Sequence, residues 1–167
     1  MIIWPSDLAE RKTAIGSELY ASLYFSEEKR KVIVAPVFEV TGGLYQEQEK
    51  PIVLPFDAPD EDIAHQAKLA LLAFKRSARG IQKIDASVWP AYQASKMKSR
   101  KEFSAYYQRI WIETIGANLR IEASDIGIED LFVGAYLAPA VDDAKLGETL
   151  YHIYKCCRQL ASVDFQI

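Results

Sequence analysis

Two stretches of the chain carry apolar residues at helical spacing, and they overlay at an offset of 83 residues. The first runs from Leu54-Pro55 through an acidic lead-in at Asp57–Asp62 into Ile63, Ala67, Ala70, Leu71 and Phe74. The second runs from Leu137 through Asp142-Asp143 into Leu146, Leu150, Ile153, Tyr154 and Cys157. Each apolar position of one stretch meets an apolar residue at the same offset in the other. The stripes predict two amphipathic helices, over about 60–78 and 143–161. Pro59 and the acids after it suit a helix start, where free N–H groups and the positive dipole end favour them. Lys75, Arg76 and Arg79 ahead of Gly80 predict the stop of that helix.

The remaining pattern predicts strands. Lys31–Val40 is rich in β-branched and aromatic residues, and its Pro36 marks an edge strand or a bulge. Thr41-Gly42-Gly43 breaks it. Ile52–Leu54 is a short second strand. Arg109–Ile115 is a third, and Gly116-Ala117-Asn118 turns it into Leu119–Glu122, where apolar and polar residues alternate as in a half-buried strand. Leu131–Leu137 is a further candidate. Ser99–Tyr107 predicts a short helix with Phe103, Tyr106 and Tyr107 inward. Residues 17–26 are of mixed type, and 81–99 carry the weakest pattern. The order strands, helix, strands, helix implies one α+β domain over 1–167: a mainly antiparallel sheet, a mixed sheet being the alternative, with helices packed on it and a weak strand–helix repeat.

At 167 residues, half of them hydrophobic, the chain can bury a sizeable core as one unit. The uncharged run Leu131–Val141 is 11 residues, short of the roughly 20 a spanning helix needs. Met1–Asp7 shows no basic leader or long apolar core, so the expectation is a cytosolic protein with no membrane association. Cys156 and Cys157 are adjacent and cannot easily pair; on a helix Cys157 faces the core.

Charge is unevenly spread. From Lys75 to Arg109 nine basic residues stand against two acids, whereas from Glu113 to Glu148 eight acids stand against two basic residues. Solvated surface and helix-end charge explain much of this. The acidic part also suits a basic partner, since opposed fields speed and orient association.

Candidate chemistry is sparse. Phosphate-binding glycine loops and the G-x-S-x-G elbow are missing. His65 and His152 fall in the two helices and are not matched by the repeat, so no catalytic residue is assigned. A metal site from His65 with Asp60 or Asp62 has no specific signature, and no cofactor or metal is expected. The pairs Asp57/Asp60, Glu129/Asp130 and Asp142/Asp143 sit at predicted helix starts and turns, where capping explains them. The basic run Lys96–Lys101 near Tyr92, Phe103, Tyr106 and Tyr107 makes a nucleic-acid-binding or regulatory module one alternative. The acidic chain and lack of a recognised motif weigh against it. A small enzyme of unrecognised type is another alternative, and a homodimer through an edge such as 31–40 is left open.

Four features bear a family resemblance: the size, Leu54-Pro55 with the acidic start at Asp60, Ser99-Arg100-Lys101-Glu102-Phe103 ahead of the 109–115 strand, and Asp142-Asp143-Ala144-Lys145-Leu146-Gly147. From about residue 30 onward the chain resembles bacterial contact-dependent growth inhibition immunity proteins. The first helix departs from the motif with Ala64 where the last has Gly147. The resemblance implies a cytosolic protein that binds and neutralises a toxic C-terminal domain, commonly a nuclease, and it implies no catalytic residues. Carboxylates offered to a nuclease's basic cleft would compete with the phosphate backbone. Glu122, at a strand end, and Asp125, Glu129 and Asp130, in an expected loop, are the candidate partner-binding residues.

Overall fold

The computed structural model describes residues 4, 6–40, 43–76, 88–124 and 131–162. In chain order these form α1 (Ser6–Ile15), β1 (Tyr20–Ser26), β2 (Lys31–Val40), β3 (Leu44–Glu47), β4 (Ile52–Pro55), α2 (Asp60–Leu72) and β5 (Lys75–Arg76). Then follow α3 (Pro90–Ser95), α4 (Arg100–Tyr106), β6 (Gln108–Ile115), β7 (Asn118–Ala123), β8 (Val133–Leu137) and α5 (Asp143–Ala161). The eight strands make one sheet ordered β3-β2-β1-β6-β7-β8, with β4 and β5 also on β2. Every pairing is antiparallel except β2 with β5. The α+β class therefore holds, with the mixed character confined to one two-residue ladder.

The two predicted stripes lie on one face of this sheet. Ile63, Ala64, Ala67 and Leu71 of α2 and Leu146, Leu150, Ile153 and Cys157 of α5 share a core with Leu23, Phe25, Val34, Ile112 and Ile121. Burying each of the larger side chains is worth about 1.5–3 kcal/mol before entropy is deducted. α2 sits over β1 and β2, and α5 over β6, β7 and β8. The repeat is thus two helices side by side on one sheet. Asp142 caps α5 by accepting from the Lys145 amide at 2.7 Å. Gly147 is where α5 passes the first residue of α2: a methyl group there would lie 2.2 Å from the Asp60 carbonyl oxygen. Ala64, the matching residue of α2, is fully buried in the core.

Several expectations need correction. α2 ends at Leu72, not near Ala78, which lies outside the described residues. Phe74 is fully buried and draws the chain out of the helix, so Lys75 and Arg76 pair with Phe38 and Glu39 of β2 instead of closing the last turn. β2 is not an edge. Residues 31–34 lie between β1 and β4, and 37–40 pair with β3. Pro36 falls where the ladder to β1 ends and β2 changes partners, which accommodates its missing N–H. A dimer through residues 31–40 therefore has no free edge to use. Residues 17–26 contain β1, a central strand, and α1 precedes it unforeseen. The β6–β7 hairpin turns at Gly116 with φ +57°, the position and sign that a two-residue II′ turn assigns to glycine.

The described residues cover the other sheet face over only part of its width. Ala91 of α3, Phe103 of α4 and Tyr107 pack on Tyr24, Ile33 and Ala35. A buried carboxylate fastens this cover: Glu47 accepts from the Tyr24 hydroxyl at 2.5 Å, Trp89 Nε1 at 3.1 Å and the Ala91 amide at 2.8 Å. Ser99 caps α4 by accepting from the Glu102 amide at 3.1 Å. Phe103 and Tyr107 point inward as expected, while Tyr106 is only half-buried beneath the Lys29 ammonium.

Candidate functional site

Beyond the α3–α4 cover no described residues cover the outer sheet face, and strand register dictates what it displays. Side chains alternate along each strand. With Ile110, Ile112, Leu119 and Ile121 turned to the core, Arg109, Trp111, Glu113, Arg120 and Glu122 face outward. Register aligns them in rows. Tyr20, Glu113, Arg120 and Tyr136 form one; Ser22, Trp111, Glu122 and Gly134 form the next; Tyr24 and Arg109 begin a third. β3 adds Leu44 and Tyr45 as a side wall. The resulting groove has a volume of about 510 Å³.

Its floor is aromatic and its centre is charged. The ring centroid of Tyr20 lies 4.4 Å from that of Tyr45 and 5.6 Å from that of Trp111. Burial pushes the Tyr20 phenol well above its ordinary pKa, and its hydrogen bond with Tyr45 adds to the rise, so it stays a neutral hydroxyl. Arg109 is exposed; it donates to Ser22 Oγ at 2.9 Å, and its guanidinium lies 4.8 Å from the Trp111 ring. Glu113 is buried and pairs closely with Arg120. Burial raises the Glu113 carboxyl, and Arg120 only partly reverses it. Glu122 is half-buried, 3.9 Å from Arg120 Nε. The rim carries Leu44, 56% exposed; Tyr136, 66% exposed, stands beside the groove opposite Arg120. Tyr, Trp and Arg are the residue types enriched at the energetic centres of protein interfaces. The chemistry available is binding through stacking, bidentate hydrogen bonds and ion pairs.

Glu122 is thus in the groove, in the wall beside Arg120 instead of fully exposed at a strand tip. Asp125, Glu129 and Asp130 lie outside the described residues. Trp111, Tyr20, Tyr45 and Arg109 were not singled out beforehand. A usable signal was present in part: a tryptophan on the outward parity of an otherwise alternating hairpin.

The other candidates take ordinary roles. His65 is exposed on α2, with Nδ1 3.9 Å from the Asp143 carboxylate. His152 is exposed on α5, with Nε2 3.7 Å from Cys156 Sγ. Asp57 pairs with Arg30 at 2.8 Å on the surface. Lys96, Lys98, Arg100 and Lys101 are exposed around α3 and α4. Among the described residues no three His, Cys, Asp or Glu side chains converge as a metal site. No described helix is long and apolar enough to cross a membrane.

No family model matches the chain, and no curated protein matches it in sequence. Solved structures do match its fold. A Neisseria meningitidis protein of unknown function superposes with a TM-score of 0.67 at 16% identity, over 85% of this chain and 96% of that one. A chain of a CdiA-CT/CdiI toxin and immunity complex from Yersinia pseudotuberculosis superposes with a TM-score of 0.60 at 12% identity, over 84% of this chain and 98% of the other. At such identities the likeness is one of fold: this chain has the architecture of those two proteins along nearly their whole length.

Proposed function

We propose that this chain is an immunity protein of a contact-dependent growth inhibition system. It binds the toxic C-terminal domain of the delivered exoprotein in the cytoplasm and neutralises it, acting as a stoichiometric binder and not as an enzyme. The observation that carries the reading is the fold shared with a chain from a CdiA-CT/CdiI toxin and immunity complex. The groove of Tyr, Trp and Arg side chains on the open sheet face supports a protein partner.

The partner in this reading is a nuclease. Its basic substrate cleft would attract the acids concentrated between Glu113 and Glu148. Glu122, with Asp125, Glu129 and Asp130 just after it in sequence, supplies carboxylates that compete with the phosphate backbone. Such charges act mainly on the encounter rate. Reversing Glu129 and Asp130 to lysine should slow association with the toxin domain and blunt protection. An unchanged on-rate at low salt argues against these residues. The function itself is examined by inducing the cognate exoprotein C-terminal domain, sought among the genes next to this one, in cells with and without the chain. Protected growth supports the reading, and equal killing in both strains refutes it.

A further inference from the structure

Among the described residues, the open face carries two charges that their neighbours leave incompletely matched. Arg120 is committed to Glu113 by a close ion pair, so the second carboxylate, Glu122, reaches it only at 3.9 Å. One cation therefore serves two acids. Across the strand pair, the residue opposite Glu122 on β8 is Gly134, which is exposed and carries no side chain. A methyl group there would lie 3.0 Å from the Ile121 carbonyl oxygen, so that position disfavours any side chain. Glu122 therefore faces no side chain on β8, where the next outward residue is the exposed Tyr136. Two residues along β6 from Trp111, Arg109 presents the opposite charge. Its contacts among the described residues are the Ser22 hydroxyl and the Trp111 and Tyr24 rings. A guanidinium so oriented is pre-organised for bidentate binding of a carboxylate.

We propose that this face is matched by a partner surface of reversed charge order: a lysine or arginine meets Glu122 over the side-chain-free Gly134, and a carboxylate meets Arg109. The inference rests on the reading that the partner is a protein toxin domain, and it adds the polarity with which that domain docks. Trp111 stands directly opposite Glu122 and beneath Arg109, so both contacts form against one indole and are shielded from water by it. Diagonal cross-strand positions lie about 7–8 Å apart, a spacing that two side chains on one partner element can span. A partner docked in the opposite sense would set like charges together, which disfavours that orientation.

The toxin domain is immobilised and the chain is titrated over it, with thermal unfolding confirming that each variant is folded. Glu122→Gln and Arg109→Gln should each weaken binding by about tenfold, and Glu122→Arg or Arg109→Glu by more. Arg158→Gln, on the exposed side of α5, should bind like the parent. A parent that binds while both glutamine variants bind equally well overturns the docking polarity alone. A parent that does not bind overturns the function and the polarity together. Sedimentation of the isolated chain as a dimer that Arg109→Gln dissociates assigns the face to a second copy and also overturns the proposal.

Discussion

The Lys68 ammonium of α2 lies 2.5 Å from the Asp143 carboxylate at the start of α5 and donates to the Val141 carbonyl at 2.8 Å. The lysine side chain is 7% exposed, and its charge also lies 5.0 Å from the Trp4 ring. This pair ties the two repeated helices together at a point where the repeat itself offers only apolar contacts. Lys68→Ala should destabilise the fold by about 2–4 kcal/mol, because it removes a buried charge partner and orphans a carbonyl. Lys68→Met keeps the stem and should lose less. By contrast, breaking the exposed Lys145–Glu148 pair should leave stability unchanged. Urea unfolding decides this, and a Lys68→Ala midpoint equal to the parent's would show that the pair does not hold the helices.

Gly147→Ala sets intrinsic helix preference against packing. Alanine favours a helix interior by about 1 kcal/mol. Here its methyl would meet the Asp60 backbone at 2.2 Å, and α2 and α5 must part. The net expectation is a loss of about 1–3 kcal/mol. A gain in stability on denaturant unfolding would show that the helices can shift without cost.

Among the described residues Glu47 has no cation beside it and receives three donors. Glu47→Gln turns an amide N–H₂ toward at least one of those donors and should cost about 2–3 kcal/mol. The loss should be local. Amide exchange should rise across residues 88–107, which Glu47 fastens, and stay slow in β6 and β7. Unaltered protection of 88–107 would mean the apolar contacts of Phe103 suffice.

Burial pushes the Cys157 thiol up to about 11, against an ordinary value of about 8.5. A raised value stabilises the fold fully below the unfolded thiol's pKa, and that contribution is lost as pH rises toward 11. Parent stability should therefore fall more steeply between about pH 8.5 and 11 than that of Cys157→Ala. In the folded protein at pH 8, Cys156 should react with a thiol reagent and Cys157 should not. Equal slopes, or two fast thiols, contradict the assignment.

What sequence patterning reveals here follows from how each element is buried. α5 is covered on one side only, so Leu146, Leu150, Ile153 and Cys157 stand out as a stripe. The β6–β7 hairpin alternates because its outer face is open. β1 escaped detection because both its faces are covered: Leu23 and Phe25 enter one core, Tyr24 the other, and Ser22 and Ser26 are buried with them. No period-two contrast survives in such a strand. Patterning overextends α2 because its basic tail resembles helix-stop chemistry, whereas burial of Phe74 decides the chain's path. The groove was legible only at Glu122. Tyr20, Tyr45 and Trp111 come from three distant segments that meet through the sheet order, a relation no local spacing encodes.

Stoichiometric neutralisation, as proposed above, is tested most directly by titrating a toxin domain's nuclease activity with purified chain. Activity should fall linearly and reach zero near one equivalent, with no turnover by the chain. Full nuclease activity in the presence of excess folded chain would rule out neutralisation by binding.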